Sequence, residues 1–288
     1  MVSEPKRILE AASDYFRSLF GEDKHTAISD WKRVVGKQLT YIDIENLQKE
    51  WTEKEVKQAL KEMSCNKIPG KDELPKEVFE LHWDTLGKHV MGLVRDFTLT
   101  SSLPTSVKDA VTILLHKKGA IEQFENYRPI TLLNISYKIM ARVLAGRIKK
   151  VLHKVISWEQ FSFILGRRIT DAVGLVADII DAAKNGKEDW FMLLVAFKKA
   201  FDSVSRNFIF EVMEKMGFPT RYIGWVKGMH TNTRTRGVLL KDANGVKHKV
   251  IPLMLGWACD YPESGKLTCT LSGQRCMKPC SICYVDRV

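Results

Sequence analysis

The segment SYKIMARVLAGRIKKVLHKVI, residues 136–156, constrains the fold more than any other part of the chain. Ile139, Val143, Leu144, Ile148, Val151, Leu152 and Val155 recur at helical spacing, while Lys138, Arg142, Arg147, Lys149, Lys150 and Lys154 carry the charge. A helix of this pattern must lay its apolar stripe against a core. No acidic residue stands between 138 and 154, so the other face is uniformly basic. Such a face is either solvated or a phosphate-contacting surface.

Elsewhere helices alternate with short strands. Ile8, Leu9, Ala12, Tyr15, Phe16, Leu19 and Phe20 predict an amphipathic helix over 4–20. Thr52 followed by Glu55 has the form of a capping box, in which the hydroxyl accepts a backbone N–H and the carboxylate reaches back, and it predicts a helix over 53–63. NKIPGKDELP, 66–75, reads as an irregular loop before a helical stretch over 76–100. AVTILLH, 110–116, is a β-branched run of strand length. WFMLLVAF, 190–197, is a continuous apolar run of the buried-strand type, followed by a helix over 205–216 that Gly217 and Pro219 stop. RTRGVLLKDANGVKHKVIPL predicts a hairpin turning at Asn244–Gly245. Without a regular strand–helix–strand repeat, the fold class this order implies is α+β.

The chain has 288 residues, 45% hydrophobic and 27% charged, enough to bury a sizeable core. Its 45 Lys and Arg against 34 Asp and Glu leave +11, which favours polyanionic partners over acidic small molecules. No stretch approaches a membrane span, and MVSEPKRILE lacks the apolar core of a signal peptide. The expectation is an intracellular protein, in nucleus or cytoplasm, with no membrane partner.

Five blocks in order, KIPGKDELPKEVF, TILLHKKG, ENYRPITLLNISYKIMARVLAGRI, EQFSFILGRRITDAV and LLVAFKKAFDSVSRNFIFEVMEKMGFP, resemble the reverse-transcriptase domain of LINE-type non-LTR retrotransposons over roughly 50–220. The resemblance implies right-hand polymerase fingers and a partial palm at 51–253, truncated before the second catalytic acid motif. Residues 1–50 would be a connector and 254–288 a divergent Cys-rich tail. It further implies an RNA/DNA template-primer as partner and Mg²⁺ as cofactor.

The same resemblance assigns residues. Lys117 and Arg128 match fingers positions that hold the triphosphate, a task suited to one point charge and one guanidinium fork. Phe201 matches the aromatic that screens the ribose 2′ position. Gln160, Gly166 and Arg167 match a block that lines the template path, although Ser162 stands where Gly is common. Phosphoryl transfer by two metals requires carboxylate ligands. Where the family begins its VAFKKAFDSV-like block with a metal-binding Asp, this chain has Ala196, and Asp202 fills only a supporting position. No Asp-Asp pair occurs anywhere in the chain, and MLGWACDYPESGKL replaces the family's Gln-Gly loop. Glu73 in KIPGKDEL and His116 in LLHKKG are further departures.

The expected activity class is therefore RNA-directed DNA polymerase, without an intact catalytic metal site. The alternatives are a non-enzymatic nucleic-acid-binding protein, or a non-functional retroelement relic whose truncated palm leaves open sheet edges. Five of the six cysteines fall after residue 258. Cys276, Cys280 and Cys283, with Cys269 as a fourth thiolate, have a spacing usable for Zn²⁺; unpaired cysteines in a divergent tail would give the same count.

Overall fold

A computed structural model of the chain describes residues 5–21, 31, 35–186, 192–196, 204–232, 238–241 and 247–250. These form a mixed fold of helices with one small sheet. The helices are α1 (Pro5–Gly21), α2 (Tyr41–Gln48), α3 (Glu53–Lys61), α4 (Lys76–Leu81), α5 (Trp83–Thr100), the single turn α6 (Thr105–Lys108), α7 (Ile135–Val155), α8 (Ile169–Asn185), α9 (Arg206–Lys215) and α10 (Thr220–Asn232). The strands are β1 (Val111–His116), β2 (Tyr127–Leu132), β3 (Val238–Lys241) and β4 (Lys247–Val250), in the sheet order β2-β1-β3-β4.

The apolar stripe that dominates the sequence becomes the centre of the molecule. On α7, Ile139 and Met140 are fully buried, and Val143, Leu144, Val151 and Val155 nearly so. Val56 and Leu60 of α3, Leu47 of α2, Val94 and Phe97 of α5, and Tyr222 and Trp225 of α10 join the same core. Trp51 meets Phe97 and Trp225 edge to face at 5.8 and 5.6 Å. The buried hydroxyls find backbone partners, as burial requires. Tyr222 donates to the Leu144 carbonyl at 2.7 Å, Tyr137 to that of Met229 at 3.2 Å, and the Trp225 indole to that of Thr98 at 3.0 Å. Helices α7 and α10 are thus joined by polar as well as apolar contacts.

Close backbone approach fixes how α10 meets the end of α5. Ser101 ends α5 in the left-handed region, φ 53°, with its N–H on the Phe97 carbonyl. A Cβ on Gly228 would lie 1.8 Å from the Ser101 oxygen, so only glycine allows this contact.

Several local expectations are met, and others shift. Helix α9 starts where predicted, with the Ser205 hydroxyl accepting from the Phe208 N–H, and ends at Gly217, φ 82°. The hairpin exists as β3 and β4, paired from Val238↔Val250 to Lys241↔Lys247; its Asn244–Gly245 turn lies outside the described residues. The predicted helical stretch over 76–100 breaks at His82, where φ −110° and ψ 31° leave the helical basin. Thr52 caps α3 by accepting from the Glu55 N–H, but the Glu55 carboxylate does not reach back, because Arg147 holds it. The reciprocal box forms instead at Thr40 and Asp43 of α2, a T-x-x-D signal.

One expectation fails. The run over 190–197 was expected to be a buried strand, yet its described part, 192–196, has no regular structure, and Leu193 and Leu194 are 83% and 81% exposed. A strand that is apolar on both faces is buried only when neighbours flank it and layers cover it. Among the described residues no strand pairs with this one.

Candidate nucleic-acid interface

The β1–β2 hairpin carries the two cations that the sequence singled out. Its antiparallel register runs from Val111↔Leu132 to His116↔Tyr127, with Leu115 opposite Arg128. The Lys117 N–H donates to the Asn126 carbonyl at 2.7 Å and extends the ladder by one step. Because side chains alternate along a strand, Lys117 shares a face with Leu115, and therefore with Arg128 across the pair. The structure thus brings Lys117 and Arg128 to one face of the hairpin, as diagonal neighbours.

The tip beyond them is held by its own bonds. Gly119 turns the chain at φ 86°, close against the Asn126 side chain. Asn126 donates to the Ala120 carbonyl at 2.8 Å and Tyr127 to that of Ile121 at 3.0 Å, while a His116 ring nitrogen lies 3.1 Å from the Gly119 carbonyl. His116 also packs edge to face on Tyr127 at 5.2 Å.

Asn134 joins two of the sequence blocks. It is 4% exposed, accepts from the Asp72 N–H at 3.3 Å and donates to the Ser106 carbonyl at 2.8 Å. A Cβ on Gly70 would lie 2.2 Å from the Asn134 Oδ1, so the Pro-Gly of the KIPGKDELP loop seats directly on the start of α7. Lys71 adds an ion pair to Asp109 at 2.8 Å.

The basic face of α7 is only partly available to an outside anion. Arg147 is 7% exposed, and its Nε and Nη2 meet both Glu55 carboxylate oxygens at 2.8 and 2.7 Å. Its remaining donors reach the carbonyls of Leu47, Lys49 and Glu50, and the guanidinium lies over the Trp51 ring at 5.6 Å. Lys154 reaches Asp43 at 2.5 Å, and this bond, seconded by Thr40, lowers the Asp43 carboxyl below the usual range. Arg142 lies 3.6 Å from Glu62. Three of the six cations on the helix therefore join it to α2 and α3. The sequence pattern could not reveal this, because each acidic partner lies about eighty or more positions away in sequence.

Gln160, Gly166 and Arg167 sit in the loop between α7 and α8. Arg167 Nη1 donates to the carbonyls of Ser157 and Gln160, and Nη2 to that of Ile156 at 3.0 Å. Gln160 Nε2 donates to the Ser162 carbonyl at 3.3 Å, and Gly166 turns at φ 83°. Ala196 is exposed in the irregular stretch described above. Phe201 and Asp202 lie outside the described residues, as do Cys269, Cys276, Cys280 and Cys283. Among the described residues no group of three or more His, Cys, Asp and Glu side chains is placed to hold a metal ion. No described helix is long and apolar enough to cross a membrane.

Residues 115–248 match the family described as reverse transcriptase (RNA-dependent DNA polymerase). Over 236 residues, 80% of this chain, the sequence is 31% identical to the transposon TX1 uncharacterized 149 kDa protein of Xenopus laevis, covering 18% of that protein. It is 21% identical over 62% of its length to the Pol polyprotein of the type-1 retrotransposable element R2 of Nasonia vitripennis, covering 18% of it. With the probable RNA-directed DNA polymerase from transposon BS of Drosophila melanogaster it shares 25% identity over 60% of its length, 19% of that protein. Residues 115–248 therefore form a reverse-transcriptase domain, and the chain is similar to proteins of non-LTR retrotransposons. It spans less than a fifth of the length of each of these relatives.

Proposed function

We propose that this chain comprises the fingers and part of the palm of a non-LTR reverse transcriptase, engages an RNA/DNA template-primer, and does not extend it. The observation that carries the reading is Ala196. It stands where the family's block begins with a metal-binding Asp, and a methyl group offers a cation no lone pair. Mg²⁺, which the family uses, thus does not fit this position, and no catalytic step is derived through it. Without ligands for the two metals, the charge that develops on the transferring phosphoryl group goes unstabilised, and a basic surface does not replace that stabilisation.

Lys117 and Arg128 are the residues this reading assigns to phosphates. Their common face on the hairpin supports it, since a guanidinium fork and an ammonium on one face suit a polyphosphate. Phe201 is assigned to the sugar face of a nucleotide, and Asp202 to a supporting role. Residues 1–50 are read as a connector, 51–253 as fingers and partial palm, and 254–288 as a divergent tail in which Cys269, Cys276, Cys280 and Cys283 would be the ligands if it bound Zn²⁺.

The test is primer extension on an RNA template with Mg²⁺ or Mn²⁺, comparing the chain with its Ala196→Asp variant, beside a salt titration of binding. The expected result is no extension by the chain itself, with binding whose logarithm falls linearly with the logarithm of salt concentration. Extension by the unaltered chain would overturn the inactivity, and binding indifferent to salt would overturn the nucleic-acid role.

A further inference from the structure

The loop between α7 and α8 carries exposed apolar side chains, and two of its polar side chains, Gln160 and Arg167, bond to its own backbone. Trp158 is 63% exposed, Phe163 48% and Leu165 53%. Between the last two, Ile164 is 7% exposed and anchors the loop to the body of the protein. Phe163 has φ 66°, a left-handed conformation that an aromatic residue adopts only when its surroundings enforce it.

The enforcement is visible. Both N–H groups of Arg167 Nη1 and one of Nη2 are spent on the carbonyls of Ser157, Gln160 and Ile156, so one planar group ties the loop's two ends together. The Arg167 N–H closes a further turn on the Ile164 carbonyl at 3.2 Å. The Gln160 amide is spent on the Ser162 carbonyl. Arg167 and Gln160 therefore help to build the loop, and Trp158 and Phe163 stand exposed on its surface.

We infer that Arg167 is a positioning residue, and that this loop engages unpaired bases by stacking on Trp158 and Phe163 while Arg167 makes no phosphate contact. This rests on the nucleic-acid reading above and changes what its residues do. Charge complementarity favours a nucleic acid as the occupant. Residues 149–168 hold five Lys and Arg against the single acid Glu159, and stay net positive with Lys154 set against Asp43 and Arg168 against Asp171. Exposed rings within a basic segment are the combination that holds single strands with little regard to sequence.

The experiment is fluorescence-anisotropy binding of a labelled single-stranded oligouridylate to the full chain across a NaCl series. The variants are Trp158→Ala, Phe163→Ala, Arg167→Gln and the double variant Trp158→Ala/Arg167→Gln. Trp158→Ala and Phe163→Ala are each expected to weaken binding by roughly 5- to 150-fold with the salt slope unchanged. Arg167→Gln is expected to weaken binding with the slope also unchanged, and to add little once Trp158 is gone, a non-additivity that a purely structural loss does not produce. A slope that falls by about 0.7 in Arg167→Gln would show a phosphate contact and overturn the positioning role. Full binding by both ring variants, beside salt-dependent binding by the unaltered chain, would overturn the stacking surface and mark the rings as a protein contact. If the unaltered chain itself shows no salt-dependent binding, the nucleic-acid reading falls first and this one with it.

Discussion

Arg147 shows how far a residue's role departs from its position in a pattern. On a helical wheel it is one more cation of a basic face, yet it is buried with both Glu55 oxygens and three backbone carbonyls as partners. A buried ion pair that loses one partner leaves the other charge uncompensated, which costs about 3–5 kcal/mol. Arg147→Ala is therefore expected to destabilise the protein by that amount, read as a shift of the urea midpoint, whereas Lys150→Ala on the exposed side should shift it by less than about 0.5 kcal/mol. His230 gives a second expectation at this scale. Burial first, and then the nearby Arg206 charge, lowers its pKa from 6.5 to about 4, so the folded protein keeps the ring neutral. Between those two values the unfolded chain binds the proton that the folded chain refuses. The stability contributed by the neutral ring is complete above pH 6.5, is lost as pH falls towards 4, and levels off below that. The loss amounts to about 3 kcal/mol. Urea unfolding across this window should show the extra slope in the native chain and not in His230→Phe.

Among the helices, α7 and α8 make the useful comparison, because both carry several large apolar residues. Helix α7 buries nine of its residues, while α8 buries none and leaves Val173, Val176, Ile179 and Ile180 between 39% and 48% exposed. Ile139→Ala on α7 is expected to cost about 2–5 kcal/mol by removing packed atoms and leaving a cavity. The pair Val176→Gln and Ile180→Gln on α8 is expected to change unfolding free energy by less than about 0.5 kcal/mol per substitution, since those side chains stay in water either way. Equal losses at both helices, measured by denaturant melts, would show that α8 packs on the core in solution. Periodicity places α1 and α7, and cap and stop residues place α3 and α9, because these signals are local in the sequence. It could not tell a covered face from an open one, nor see that the apolar run at 192–196 finds no neighbouring strand among the described residues.

For the molecule as a whole, the surplus of +11 sets the expected character of binding. Part of the local cation density is consumed inside, by Arg147 on Glu55 and Lys154 on Asp43. The face shared by Lys117 and Arg128 is where the proposed phosphate contacts fall, so Lys117→Ala and Arg128→Ala should each reduce the slope of log affinity against log salt by about 1. The same slope in both variants as in the unaltered chain would mean that binding resides elsewhere. The sequence by itself determined the likeness to reverse transcriptases, through ordered blocks, and with it the central helix, the β3–β4 hairpin and the alanine where a metal-binding Asp is expected. Those properties are carried by residue identity and local spacing, which a linear reading preserves. Only the tertiary structure decided which cations are spent on internal partners, how Lys117 and Arg128 come to one face, and that Arg167 organises its own loop. Each of these depends on which groups of distant sequence meet in space, and on the bonding capacity left over once they have met.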